Sequence, residues 1–378
     1  MFILSAEEVK WAEEIWQKLD GKLQVVTKRS CDKFPFWSEN GLHDDMKDEN
    51  INCWTNGFWS GINWLMYVGT GKEAYKKTAL EGEKLLDKAL SRPEMISHDV
   101  GFIWMLAARP DWRLTGNHQS WQRLKVAASY LMGRFNPEGG YVRAWDWGKD
   151  NMEKVGWTII DTMMNLPLLY WASEDCGDPR YKFVAMKHTD MVMRDHIRPD
   201  GSVYHIVVHD PFTGEAVEKR GLQGYAAESS WSRGQSWAIY GFTLGYLHTG
   251  EQEYLATAKK VAHYFIAAVC EDWLPKSDFR SPKEPVYFDS SAGLCAACGM
   301  LELAKIVPEY EKRLYVHAAM KLLMNIEKNF ADWSTDTDFI IGNSSGWYSK
   351  EQNVNIIYAD YFFTEAVYKL KNFEPLFW

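Results

Sequence analysis

Trp237 to Val269 reads WAIYGFTLGYLHTGEQEYLATAKKVAHYFIAAV. The first part, through Thr249, is apolar, aromatic or small almost throughout. Gly250-Glu-Gln-Glu-Tyr254 breaks that run, and LATAKKVAHYFIAAV resumes with apolar residues spaced between charges. The pattern predicts an apolar helix, a short glycine turn and a second, amphipathic helix. The same Gly-x-x-x-Tyr frame recurs at Gly71-Lys-Glu-Ala-Tyr75 and Gly177-Asp-Pro-Arg-Tyr181, after WSGINWLMYVGT and MMNLPLLYWASEDC and before more charged runs. With GFIWMLAAR, SSAGLCAACGMLELAKIV and YADYFFTEAVYKL, the chain carries apolar helix candidates near residues 57–68, 100–108, 160–173, 234–247, 290–305 and 358–370.

Repeated helical hairpins imply a solenoid or a closed ring. Inner helices rich in apolar and small residues, with amphipathic partners between them, fit a double ring of six hairpins. The strand-like pieces, YVRAW and SVYHIVVH, fall in loops. No linker or low-complexity stretch interrupts the pattern, so residues 1–378 read as a single domain. In such a toroid the starts of the inner helices and their loops line one central pocket, which is where chemistry is expected.

The formal charge of −9, with both signs spread along the chain, disfavours nucleic acid or an anionic membrane as partner, while leaving room for a small anion held by a few arginines. Nineteen tryptophans point to carbohydrate contact through indole faces; the competing reading of each is aromatic core. The start, MFILSAEEVKWAEE, lacks the basic residue and longer apolar core of a signal peptide, and no run reaches a membrane span. Six cysteines show no disulfide-scaffold spacing, and Cys295-x-x-Cys298 lies in a small-residue helix pattern that reads as packing. A soluble, cytoplasmic protein is the expectation, acting as a monomer or weak homo-oligomer.

Polar residues recur at the inner starts: Trp54, His98 and Asp99, Asp161, Arg233 with Trp237, Asp289 and Asp360. Asp161 is the most pointed, standing in GWTIIDTMMNLPLLYWAS, because a carboxylate in an apolar run is costly unless it is paired or hydrogen-bonded. Asp99 and Asp161 on facing elements would suit acid–base work on a glycoside, with burial and mutual repulsion keeping one proton in place near neutral pH. Helix capping is the competing role for both. His205, in GSVYHIVVHDP, is open between ligand, substrate contact and packing. The ten histidines lack metal-site spacing, and no dinucleotide loop, P-loop or nucleophile elbow occurs, so neither metal nor cofactor is expected.

Taken in order, WTNGFWSG, HDVGFIW, IIDTMMNLPLLYWAS, WSRGQSWAIYGF, DSSAGLCAACGMLE and ADYFFTEA resemble the unsaturated glucuronyl hydrolases, glycoside hydrolase family 88, from about residue 50 to residue 370. The resemblance implies an all-α (α/α)6 barrel. It also implies an activity: hydration of the C4=C5 enol ether that polysaccharide lyases leave in the non-reducing uronic acid of glycosaminoglycan-type oligosaccharides. Protonation at C4 makes C5 cation-like, water adds there, and the hemiketal opens to release the next sugar. Carried over by motif, Asp161 matches the general acid/base and Asp99 the second essential carboxylate. His98, at its inner-helix start, His205 and Gln223 stand at substrate-contacting positions. Arg233 and Trp237 match residues beside the uronate, with a structural ion pair to Asp289 or Glu228 as the competing role of Arg233, and Trp54 and Trp145 match aromatic walls. Ser345-Gly-Trp-Tyr-Ser-Lys350 keeps the first Ser and the Lys of a sulfate-binding Ser-x-x-Ser-x-Lys run, which makes Ser345 and Lys350 expected substrate contacts, but Tyr348 replaces its second Ser, so a sulfate preference does not follow.

Two other activities share the barrel. Unsaturated rhamnogalacturonyl hydrolases act on pectin fragments with the same chemistry, but WSRGQSW and NLPLLYWA favour the glucuronyl family. A sugar epimerase would use a pair of catalytic histidines, whereas only His98 opens an inner helix. A non-catalytic sugar-binding toroid would be marked by loss of either aspartate, and both are present.

Overall fold

The computed structural model describes residues 2–145 and 154–378. Among these, twelve long helices alternate between an inner and an outer ring. They are α1 (Ala6–Arg29), α2 (Phe58–Thr70), α3 (Glu73–Leu85), α4 (Val100–Thr115), α5 (His118–Gly133), α6 (Pro167–Cys176), α7 (Pro179–Asp195), α8 (Ser232–Thr249), α9 (Gln252–Val269), α10 (Ser290–Ile306), α11 (Glu309–Phe330) and α12 (Ile357–Leu370). The even-numbered helices pack side by side, with α12 closing onto α2. Each is backed by the helix that follows it, except that α12 is backed by α1 from the other end of the chain. The inner ring is therefore the six apolar runs, and the sixth outer helix is N-terminal, a closure that local pattern could not announce.

An inner helix meets neighbours on every side, which is why these runs are apolar all round: every residue of α10 from Ser290 to Ala304 is buried. The Gly-x-x-x-Tyr frame acquires a structural meaning. Gly71, Gly177 and Gly250 end α2, α6 and α8 at φ of 70°, 66° and 77°, the left-handed conformation that a side chain disfavours. Each tyrosine, four residues on, sends its hydroxyl to the outer helix behind: Tyr75 to Asp20 at 2.9 Å, Tyr181 to Ser129 at 3.1 Å and Tyr254 to Asp190 at 2.7 Å. The repeat thus reverses the chain and ties consecutive hairpins together.

The third inner run differs from expectation. Instead of one helix over 160–173, Ile160–Met164 forms a 3-10 turn and α6 begins at Pro167. Proline has no N–H to donate and suits a helix's first position, so the helix starts there and Asp161 is left in the tighter turn. Short antiparallel ladders gather where inner helices begin. β1 (Trp157–Ile159), β2 (Ile206–His209) and β3 (Ala216–Arg220) form one sheet in that order, with Ile159 opposite Ile206. β4 (Ser344–Trp347) and β5 (Glu351–Val354) form a hairpin ahead of α12. Of YVRAW only Tyr141–Val142 pairs, with Phe135–Asn136. Among the described residues no helix is long and apolar enough to cross a membrane.

Candidate active site

Backbone pairing brings Asp161 and His205 together. β1 runs into the turn that carries Asp161, His205 precedes β2, and the Ile160 N–H donates to the His205 carbonyl at 3.1 Å. The turn is locked from below by Asn165, whose amide donates to the Asp161 carbonyl at 3.1 Å and accepts from the Phe102 N–H at 2.9 Å. Gly101 permits that approach, since a Cβ there would lie 2.5 Å from the Asn165 Cα. Asp99, the residue before α4, is thereby held against the Asp161 turn.

The Asp161 side chain is 17 % exposed, and His205 Nε2 stands 4.0 Å from its Oδ2. Burial first, and then the charge of Asp99, push the Asp161 pKa up from 3.8 to about 7, against a smaller opposing pull from Arg233. The carboxyl group therefore holds a proton in a good fraction of molecules at neutral pH. His205 is pushed down to about 3, by burial and then by Arg233, so its ring is neutral. Its Nδ1 accepts from the Gln223 N–H at 3.3 Å, which places the ring proton on Nε2, facing Asp161. Neither Asp161 Oδ2 nor His205 Nε2 has a hydrogen-bond partner, and the same holds for the buried indole nitrogens of Trp231 and Trp237. Trp237 acts on the Asp161 carboxyl group without reaching hydrogen-bond geometry, and the Trp231 ring lies 4.3 Å from that of His205.

An aromatic wall continues from there. Phe102 lies 5.2 Å from both Trp237 and Trp54, and Trp54 lies 4.9 Å from Tyr358. Trp145 stands 6.3 Å from His98 and 6.0 Å from Trp157. Gln223 donates from Nε2 to the Gly346 carbonyl at 3.2 Å, tying the β4–β5 hairpin to His205. Among the described residues no group of three or more His, Cys, Asp or Glu is arranged to hold a metal ion. Cys295 and Cys298 are free and buried inside α10.

Three expected substrate contacts are buried and already matched by protein groups. Arg233 is buried with its guanidinium already matched: Nη1 donates to Asp289 Oδ2 at 2.5 Å and to the Ser345 carbonyl, and Nη2 to the Gly346 carbonyl at 3.0 Å. An ion pair of the fold, rather than an open fork for a uronate, is what this geometry describes. His98 is 1 % exposed, with Nδ1 bonded to Thr162 Oγ1 at 2.6 Å and Nε2 3.4 Å from Asp99 Oδ2, so it faces protein. Ser345 is buried too, its hydroxyl accepting from Ser277 at 3.1 Å and donating to the Glu351 carbonyl at 3.3 Å. Lys350, by contrast, stays exposed, 3.4 Å from Glu351. Sequence reasoning passed over Trp231 and Thr162. Trp231 opens WSRGQSW immediately ahead of α8, so the rule that singled out Arg233 would have found it.

The model of the Glycosyl Hydrolase Family 88 matches residues 26–273. The chain is 35% identical over 377 residues to the unsaturated glucuronyl hydrolase of Bacillus sp. (strain GL1), covering 96% of this chain and 99% of that protein. It is 33% identical over 332 residues to the unsaturated chondroitin disaccharide hydrolase of Streptococcus pyogenes serotype M1, covering 85% and 82%. The crystal structure of the Bacillus enzyme, described as responsible for the degradation of glycosaminoglycan, superimposes with a TM-score of 0.88 at 34% identity, over 94% of this chain and 97% of that one.

Proposed function

As the chain belongs to glycosyl hydrolase family 88, we propose that it is an unsaturated glucuronyl hydrolase, acting on the 4,5-unsaturated uronic acid at the non-reducing end of lyase-generated glycosaminoglycan fragments. One observation carries the reading: a carboxyl group with its pKa near 7 stands among unpartnered buried donors, His205 Nε2, Trp231 Nε1 and Trp237 Nε1. Other buried polar atoms also lack partners; what distinguishes these is that they gather around one carboxyl group, the arrangement in which a ligand supplies the partners.

The chemistry follows from these groups. Asp161 gives its proton to C4 while the C4=C5 electron pair forms the new C–H bond. C5 becomes an oxocarbenium centre shared with the ring oxygen, and the Asp99 carboxylate favours that positive charge electrostatically. Water adds to C5 and loses its proton to the Asp161 carboxylate, which restores the acid. The hemiketal opens to a ketone at C5 and a hemiacetal at C1, which then releases the aglycone as an alcohol. One water is consumed and no redox partner is needed. Neutral His205 donates from Nε2 to the sugar, Gln223 orients His205, and Trp54, Trp145, Trp231 and Trp237 bound the sugar ring. With Arg233 engaged by Asp289, the uronate carboxylate meets the neutral N–H donors and feels the Arg233 charge at longer range.

In this reading residues 1–378 act as one catalytic domain, working as a monomer or weak homo-oligomer. A cytoplasmic workplace is supported by six cysteines that all stand free. The test is loss of the ultraviolet absorbance of the conjugated uronate with unsaturated disaccharides from chondroitin, hyaluronan, heparin and ulvan, beside an unsaturated pectin fragment. Turnover of the glycosaminoglycan members is expected. Turnover of the pectin fragment alone would reassign the chain to rhamnogalacturonyl hydrolysis, and no loss with any substrate would refute the reading.

A further inference from the structure

His98 and Thr162 do not touch the space in front of Asp161, yet they join the two segments that make it. His98 is the residue before Asp99, and Thr162 the residue after Asp161. The His98 Nδ1 to Thr162 Oγ1 contact, 2.6 Å long, crosses between these segments and is buried at both ends. On its other side the ring presents Nε2 to Asp99 Oδ2 at 3.4 Å, and that same oxygen accepts from Ser97 Oγ at 2.9 Å. The backbone is fixed too: the His98 N–H donates to the Ala144 carbonyl at 3.2 Å, and Arg134 holds the carbonyls of Ile96 and Ala144 at 2.9 Å each.

We propose that His98 and Thr162 form a positioning pair, a buried hydrogen-bonded strap that sets the separation and orientation of the Asp99 and Asp161 carboxyl groups. The inference rests on the hydration reading above. The tautomer follows from the neighbours. A ring nitrogen facing a carboxylate must carry its proton, so Nε2–H points at Asp99 and Nδ1 accepts from the Thr162 hydroxyl. Burial, opposed by Asp99 and assisted by Arg134, lowers the His98 pKa, which keeps the ring neutral and this arrangement fixed. His188 and His205 are the other titratable groups that feel the ring, and burial lowers the pKa of both. Facing Asp161 are Asp99, Arg233, His205 and Trp237. An acid that must reach C4 and a carboxylate that must face the developing charge at C5 need a fixed spacing, and an orienting bond one residue from each supplies it.

Thr162→Val removes the hydroxyl and keeps the shape; Thr162→Ser keeps the hydroxyl. For Thr162→Val, kcat should fall roughly tenfold or more, with KM within about threefold of the parent. The alkaline limb of the rate profile should move to lower pH, because a carboxylate no longer held near Asp161 raises its pKa less. Thr162→Ser should recover most of the rate and the parental profile. A lowered melting temperature with unchanged kcat and pH profile in the folded protein would overturn the inference and leave a structural bond only. If Thr162→Val does not fold, His98→Asn is read the same way: its amide can still reach Thr162 but not Asp99, and an unchanged pH profile there would equally overturn the strap. The parent chain is the control: a parent that leaves the substrate absorbance intact refutes the hydration reading, whereas an active parent with an equally active Thr162→Val refutes the strap alone.

Discussion

Among the described residues, two of the buried polar clusters inside the barrel differ in one respect. Near the starts of the inner helices, Asp161 Oδ2, His205 Nε2 and the indole nitrogens of Trp231 and Trp237 lack partners. Eleven residues beyond Tyr358 along α12, roughly 16 Å at helical rise, Lys369 is fully satisfied. Its Nζ lies 2.9 Å from Glu365, 3.2 Å from Glu302 and 2.6 Å from the Tyr240 hydroxyl, while Trp378 Nε1 donates to Glu365 at 2.8 Å. Both clusters sit where water is scarce. One spends its hydrogen-bonding capacity on itself and holds helices α8, α10 and α12 together; the other withholds it, which is the arrangement a substrate requires.

That contrast is broken first at Asp161. Asp161→Asn is nearly isosteric but cannot deliver the acid proton, so turnover should drop by about 10²–10⁴ with an intact melting transition. Activity within threefold of the parent would remove Asp161 from the chemistry. At the satisfied cluster the sign reverses. Lys369→Met leaves Glu365 buried without its cation and Glu302 with Lys305 alone, and should cost about 3–5 kcal/mol of stability, read by denaturant unfolding, while KM of the folded fraction stays near parental. A large rise in KM there would mean that the two ends are not separate in function.

Arg233 sharpens the comparison because it lies at the unsatisfied end but is bonded like the satisfied one. Arg233→Lys keeps the charge and loses the fork to Asp289 and the hairpin carbonyls, so a stability loss of roughly 1.5–3 kcal/mol is expected, with KM changed less than stability. A tenfold rise in KM at unchanged melting temperature would restore Arg233 as the direct carboxylate anchor. The smallest effect belongs to Trp237→Phe, which removes one neutral N–H. A three- to tenfold loss in kcat/KM corresponds to the usual worth of such a bond, about 0.5–1.5 kcal/mol; an unchanged value would show that the indole nitrogen meets no ligand atom.

The six inner helices were legible because burial on all sides demands long runs dominated by apolar and small residues, and Asp161 was legible for the same reason, as a carboxylate in such a run. What escaped depends on contacts remote in sequence. For Arg233 the sequence offered a uronate contact and an ion pair with Asp289 or Glu228, and with 56 residues between Arg233 and Asp289 no local pattern could choose between them. α1 closes the ring from the opposite end of the chain. Ser345 came from a motif match alone, and a motif does not report that its hydroxyl is already bonded to Ser277 and the Glu351 carbonyl, residues 68 and 6 positions away. Thr162 offered no local signal, since its value comes from the ring of His98 across the site.

The central claim is that Asp161 works as a proton donor whose pKa is raised by burial and by Asp99. The most direct measurement is the pH dependence of kcat/KM for the parent and for Asp99→Asn on an unsaturated chondroitin disaccharide. The donor acts only while protonated, so the parent's activity should fall as pH rises through about 7. Removing the neighbouring negative charge should carry that fall to lower pH in whatever activity Asp99→Asn retains. Activity that holds or climbs past that pH in the parent, or a midpoint that Asp99→Asn leaves in place, would contradict the account.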